Sequence, residues 1–299
     1  MFNLKKKKSV PENTENNNNS IENIKIKKFN RVEYNNTLNL LRNTKLNTVC
    51  IEANCPNRYE CFSKKTATFL ILGKYCTRNC RYCNIKHASP QPIDKDEPEN
   101  ISFVVKKLDL KHVVITSVTR DDLDDFGVSH FISVVEKIRI KNPFCKIELL
   151  IPDLNGSIDL LKELIYAKVD VLNHNIETVR RLFSDLRPEG DFDTSISLLK
   201  QMKILDNTLL TKSGFMHGLG ETLDEIVSLM MTLRKSNCDL LTIGQYLAPS
   251  MNHFQVKKYY SNDEFLELKK IALGLGFKKV ESGSLVRSSY NAKEMGFNN

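Results

Sequence analysis

Cys76-Thr-Arg-Asn-Cys80-Arg-Tyr-Cys83 places three thiols within eight residues, directly after the apolar run Thr68-Phe-Leu-Ile-Leu-Gly73. Packing has no need of thiols at that density, whereas metal binding does. A C-x3-C-x2-C loop can fold over a cubane so that each sulfur takes one iron while backbone N–H groups face the cluster sulfides. Three ligands leave the fourth iron of a [4Fe–4S] cluster open to a small molecule with oxygen and nitrogen donors. A zinc knuckle is the plain alternative, although zinc sites pair C-x2-C units with a fourth Cys or His nearby. Buried free thiols are the third reading.

Upstream lies a second set, Cys50-Ile-Glu-Ala-Asn-Cys55-Pro-Asn-Arg-Tyr-Glu-Cys61, which ends fifteen residues before Cys76. The spacing of the later triad, with the aromatic Tyr82 before its last Cys, resembles the signature of the radical-SAM superfamily. Both triads in this order, together with Arg287-Ser-Ser-Tyr290, resemble the lipoyl synthase family, whose members insert two sulfur atoms into a protein-bound octanoyl chain. The likeness runs from about Thr48 to Ala292. It passes through Val113-Val-Ile-Thr-Ser117, Arg120-Asp-Asp122, Asn173-His-Asn175, Glu177, Arg187-Pro188, Thr211-Lys-Ser-Gly214, Gly218-Leu-Gly-Glu-Thr222 and Thr242-Ile-Gly-Gln-Tyr246.

The resemblance implies two [4Fe–4S] clusters and S-adenosylmethionine. Cys76, Cys80 and Cys83 would hold the cluster that cleaves the cofactor to methionine and a 5′-deoxyadenosyl radical, which abstracts hydrogen at C6 and then C8 of an octanoyl-lysine. Those carbons carry neither an acidic proton nor a leaving group. His174, His217, Asp121 and Asp122 are therefore expected to be structural rather than general acids. Cys50, Cys55 and Cys61 would hold an auxiliary cluster that is taken apart to supply sulfur, with a serine oxygen as fourth ligand. Ser289 is preferred over Ser288 for that place, and its harder oxygen would hold iron less firmly than a thiolate. For S-adenosylmethionine the candidates are Asn175, Glu177, Arg187, Lys212 and Ser213, since a carboxylate can pair with ribose hydroxyls and a cation with the cofactor carboxylate. Tyr82 would lie near the adenine. Thr116 and Ser117 stand where many radical-SAM proteins carry a Gly-Gly-Glu run for the amino group. Gly218-Leu-Gly220 lacks the third glycine of a dinucleotide fingerprint, and Arg287 could position substrate or cluster.

At 299 residues the chain is long enough for one large α/β domain. Expected divisions are a low-complexity, flexible arm over 1–30, with Lys5–Lys8 and an Asn-rich run; an N-terminal extension over 31–67 with the auxiliary triad; a partial barrel over 68–275; and a C-terminal extension over 276–299 with Arg-Ser-Ser-Tyr. Between Phe29 and Leu46 an extended arm with a short helix is expected. No apolar run reaches the roughly 20 residues of a membrane span, and no secretory core opens the chain. Six of eight Cys fall into tight triads, which suits a reducing compartment, and cytoplasm is expected. Cys145 and Cys238 are expected to be core thiols. A net charge of +8 spread along the chain fits an acidic protein partner better than nucleic acid.

Strand-like runs at Thr68–Gly73, His112–Val118, Lys146–Pro152, Val169–Glu177, Leu209–Met216 and Leu240–Leu247 alternate with helical periodicity, clearest in Phe131–Ile138, Ile158–Ile165 and Glu225–Leu233. This pattern predicts an α/β fold, a partial (β/α)6 barrel of the radical-SAM type, with extensions bearing the auxiliary cluster. Polar residues at the carboxyl ends of the strands would share one mouth. The implied partners are octanoylated lipoyl-carrier domains (a 2-oxoacid dehydrogenase E2 or a glycine cleavage H protein), a ferredoxin- or flavodoxin-type electron donor and an iron–sulfur carrier, with neither nucleic acid nor membrane. A biotin synthase-like or tRNA-methylthiolating protein is the alternative of the same class. A zinc-dependent nucleic-acid-binding protein is the alternative from another.

Overall fold

The structure, a computed structural model, describes residues 28–296. Most of the arm expected over 1–30 thus lies outside the described residues. The segment expected as an arm with a short helix is chiefly a thirteen-residue helix, α1 (Arg31–Asn43). It starts where the Asn30 side chain accepts N–H groups of Val32 and Glu33. Its buried Thr37 donates to the carbonyl of Phe62 in α3 (Arg58–Ser63), which fastens the two helices together. Between them α2 (Val49–Glu52) is capped by Thr48, whose side chain accepts from Ile51 N–H.

The sheet begins at β1 (Thr68–Ile71). A two-residue parallel ladder follows, β2 (Tyr75–Cys76) against β3 (Lys86–His87), and the cysteine loop lies between them. The remaining order is α4 (Glu97–Lys107), β4 (His112–Ser117), α5 (Val128–Lys141), β5 (Lys146–Leu150), α6 (Ile158–Tyr166), β6 (Val171–Asn173), α7 (Arg180–Leu186), α8 (Phe192–Leu205), β7 (Leu210–His217), α9 (Leu223–Lys235), β8 (Leu240–Gln245), α10 (Asn262–Gly274), β9 (Lys279–Gly283) and α11 (Ala292–Gly296). The large sheet runs β1-β4-β5-β6-β7-β8-β9 with every neighbour parallel. Parallel neighbours require long crossovers, and the helices supply them. Strands covered on both faces read as continuous apolar runs; β8 is buried along its whole length.

Six strands are legible in the sequence, and the sheet has seven. The extra strand, β9, buries only Val280, so it carries no apolar run and exists as a strand through its pairing with β8. The run Val169–Glu177 also shortens, because β6 ends at Asn173. The ladder to β7 then resumes at Glu177: His174 N–H bonds Lys212 O and Glu177 N–H bonds Gly214 O, three residues facing two. That extra residue is a bulge, with Glu177 at φ +69°.

The two edges of the sheet do not pair with each other. At the β1 edge Leu70 N–H bonds Asn47 O at 3.0 Å and Thr48 bridges Phe69, so the N-terminal extension covers the strand. On the open side the chain after β9 returns across the sheet. Met295 of α11 packs on Val171 and Leu240, and Lys279 Nζ donates to Glu294 O. That crossing needs Gly244 in β8, since a Cβ there would lie 2.2 Å from the Val286 carbonyl oxygen. The main core lies between sheet and helices, with Phe131, Leu164, Leu199, Leu233 and Phe265 all buried. Each such side chain contributes about 1.5–3 kcal/mol.

Candidate functional site

Cys76 ends β2, and the loop that follows is set by the two residues after it. Thr77 Oγ1 donates to Thr119 O and Asp121 Oδ2, and Thr119 N–H points back at Cys76 Sγ over 3.3 Å. Arg78, 8% exposed, forms paired hydrogen bonds to Asp121 (2.9 and 2.8 Å) beyond β4 and to Asp153 (2.5 and 2.9 Å) beyond β5. A guanidinium fork matched to two carboxylates fixes orientation as well as charge. Burial opposes ionisation of Asp153, yet Arg78 holds its carboxyl below the usual range. The far end of the loop is tied by Arg81 N–H to Leu186 O, Phe254 N–H to Arg81 O, and His253 Nε2 to Cys83 O.

The β6 bulge brings polar groups to the same place. Arg187 donates to Asn175 O at 3.2 Å and lies 3.8 Å from Asp153. Burial raises the Glu177 pKa, and Arg187 counters the shift. Burial likewise raises Cys80 and, well above the usual phenol range, Tyr82. Cys83 is pushed up to about 12 by burial, so a thiolate there would call for a bound metal. Thr116 Oγ1 donates to Leu150 O, whereas Ser117 Oγ and Asn175 Oδ1 are buried with no partner. His174 Nδ1 bonds Ile151 O at 2.9 Å, and burial pushes its pKa down to about 4, leaving it neutral.

Cys50 and Cys55 of the second triad line the same cavity as the first triad. Cys50 is on α2, Cys61 on α3 and Cys55 between them. Burial, then the neighbouring Cys55, pushes the Cys50 thiol up to about 12, while a hydrogen bond from Thr68 N–H opposes the shift. The tail comes to the triad through three contacts. Asn57 Nδ2 donates to Leu285 O at 2.6 Å, Thr68 Oγ1 donates to Ser289 Oγ at 2.7 Å, and Asn175 Nδ2 donates to Ser288 Oγ. Ser289 thus stands on the Cys50 side and Ser288 on the Asn175 side. Arg287 donates to Val286 O; burial lowers its pKa, and Cys55 acts in the opposite direction.

One cavity of about 550 Å³ joins these groups. Cys50, Cys55, Cys76, Cys80, Cys83, Ser288 and Ser289 line it, as do Tyr82, Thr116, Ser117, Asn175, Glu177 and Arg187. Three expected members do not. Cys61, on α3, is not among the lining residues but is near enough to Cys50 to raise its pKa. Lys212 is the larger correction: it points into the barrel below the mouth, fully buried, with its ammonium 2.9 Å from Glu148, and it cannot reach a ligand there. Glu148 also accepts from Asn173, and burial against it is overcome by Lys212 so that its pKa falls to about 2. Ser213 does not line the cavity either.

Among the described residues no three His, Cys, Asp or Glu side chains converge on one metal ion. A cubane makes no such demand, because each of its thiolates takes a separate iron. The donor sets fit two such clusters, and the unpartnered Ser117 Oγ and Asn175 Oδ1 fit a polar ligand between them. Arg78 and Asp153 escaped the sequence reading, which saw only the spacing of the loop. Asp153, an acid directly after an apolar strand, was the available signal. Asp121 and Asp122 are structural, the first on Arg78 and the second on Arg120. His217 bonds Glu221 and stacks on Tyr260, away from the cavity. Cys145 and Cys238 are buried core thiols.

The family model of the Radical SAM superfamily matches residues 70–233. A lipoyl synthase of Caldicellulosiruptor saccharolyticus is 51% identical over 271 residues, 91% of this chain and 94% of the relative. One of Alkaliphilus metalliredigens is 53% identical over 255 residues, 85% and 88% of the two chains. Among solved structures, methylornithine synthase matches with TM-score 0.55 at 15% identity, covering 87% of this chain and 83% of that one. A maturase of the [FeFe]-hydrogenase matches with TM-score 0.55 at 16% identity, covering 89% and 71%. At such identities these two matches speak for the fold alone.

Proposed function

The chain belongs to the lipoyl synthase family within the radical SAM superfamily, and from that premise we propose how its residues divide the work. It is a radical-SAM sulfur-inserting enzyme, and this membership sets aside the biotin synthase-like, tRNA-methylthiolating and zinc-binding alternatives. Cys76, Cys80 and Cys83 hold the cluster that binds S-adenosylmethionine; when bound, the pair supplies one-electron cleavage and hydrogen abstraction from an unactivated carbon. Thr116, Ser117 and Asn175 surround the cofactor's polar groups. Glu177 accepts from its ribose, and Arg187 balances carboxylate charge. Cys50, Cys55, Cys61 and Ser289 hold a second cluster, the source of the two sulfur atoms placed at C6 and C8.

The observation that carries this reading is the arrival of Ser289, from the far end of the chain, on Thr68 in the wall of the cavity that Cys50, Cys55 and the first triad also line. Leu70, Val118, Ile151 and Leu247 give the cavity apolar surface where an octanoyl chain can lie and water is excluded. The chain's net charge of +8 suits acidic carrier domains, those of a 2-oxoacid dehydrogenase or a glycine cleavage protein. A ferredoxin- or flavodoxin-type protein supplies electrons and an iron–sulfur carrier rebuilds the second cluster. No helix among the described residues is long and apolar enough to cross a membrane; we place the reaction in the cytoplasm.

The test is mass spectrometry of an octanoylated carrier domain after anaerobic reaction with the reconstituted chain, S-adenosylmethionine and a strong reductant. Gain of two sulfur atoms is expected. Cleavage of the cofactor with an unchanged carrier would sink the proposal.

A further inference from the structure

We propose that Thr68 is a positioning residue for the second cluster, presenting its ligand Ser289 from a rigid point beside Cys50; this rests on the assignment of Ser289 as a ligand. Thr68 opens β1 and is 6% exposed. Its hydroxyl donates to Ser289 Oγ at 2.7 Å, and its backbone lies beside the Cys50 thiol. The two ligands come from opposite ends of the chain, 239 residues apart. One residue therefore stands beside both.

The support is unequal on the two sides of that bond. Thr68 is held in register with Val114, and its neighbour Phe69 is bridged to Thr48, while a β-branched side chain is stiff at χ1. Ser289 lies in irregular chain between β9 and α11. Without a fixed partner its hydroxyl would sample several rotamers and meet iron only part of the time. A serine oxygen on iron is an acceptor alone, so a hydroxyl donating to it forms a charge-assisted bond. Thr68 would thus offer Ser289 to iron and keep it in place once iron had gone.

Valine keeps the shape and strand preference of threonine and lacks the hydroxyl. The measurement is the rate at which a ferrous chelator removes iron from the full chain carrying Cys76→Ala, Cys80→Ala and Cys83→Ala, which retains only the second triad. Thr68→Val is expected to speed release about tenfold, as loss of one hydrogen bond to a charged group would, and Thr68→Ser to leave it unchanged. Ser289→Ala should be at least as fast as Thr68→Val, and the double variant no faster than Ser289→Ala, because the two act through one contact. Fast release from Ser289→Ala with wild-type release from Thr68→Val overturns the positioning role alone. Wild-type release from Ser289→Ala overturns the ligand assignment as well. Circular dichroism of each iron-free variant checks that the fold is kept.

Discussion

The loop Cys76–Cys83 is fixed by a buried guanidinium that meets two carboxylates, whereas the segment of Cys50, Cys55 and Cys61 is clasped to the tail by single hydrogen bonds, from Asn57 to Leu285 O and from Thr68 to Ser289 Oγ. Both regions offer three thiols, and they differ in what holds the thiols in place. Arg78 links the first loop to chain that follows β4 and β5, so moving that loop would break a buried ion network. The second region can loosen one hydrogen bond at a time. The difference suits the division proposed above, in which one cluster would survive each turnover and the other would be given up.

The sharpest way to break this comparison is to remove one thiol from each side. Cys76→Ala is expected to abolish S-adenosylmethionine cleavage, while Cys55→Ala keeps cleavage and loses sulfur insertion, both read by chromatography of 5′-deoxyadenosine and mass spectrometry of the carrier. Lipoyl product from both variants would erase the division. Next in size is Arg78→Ala, which strands Asp153, 2% exposed, in the interior. About 3–5 kcal/mol of stability should go with it, measured by chemical denaturation under anaerobic conditions. A loss below about 1 kcal/mol would mean that the first loop is no better anchored than the second.

Acid should also strike the anchored side first. His174 lies against Arg187, Asp153 and Arg78, and burial takes its pKa from 6.5 to about 4. The unfolded chain then binds more protons than the folded one across that window, so stability is full above pH 6.5 and falls as pH drops towards 4. Between pH 7 and pH 5 the loss is about 2 kcal/mol, and His174→Asn should flatten that part of the profile. The smallest effect belongs to the clasp. Asn57→Ala leaves Leu285 O without its donor and is expected to cost about 1 kcal/mol. It should also quicken loss of iron from the second triad without altering cofactor cleavage.

Much of this site is visible before folding because cysteine spacing is local chemistry: eight residues suffice to place three thiolates around a cluster. The apolar runs likewise predict the β/α alternation, since strands buried on both faces must be apolar throughout. Depth along a strand is another matter. Lys212 was a reasonable partner for a cofactor carboxylate, and alternation does put it on the inner face with Gly214 and Met216. Register sets it level with Asn173 and Leu240, beneath the cavity, where Glu148 takes its charge.

The sequence alone thus determined the radical-SAM class, the two triads and the family, because each is written in short spacings and ordered motifs. Only the tertiary structure decided that β9 extends the sheet, that Arg78 anchors the first loop, and that Ser289 bonds Thr68 while Ser288 bonds Asn175. Those outcomes depend on contacts between residues tens to hundreds of positions apart. No local pattern encodes such contacts; they follow from how residues 57–68 and 285–289 meet beside the β1 edge of the sheet.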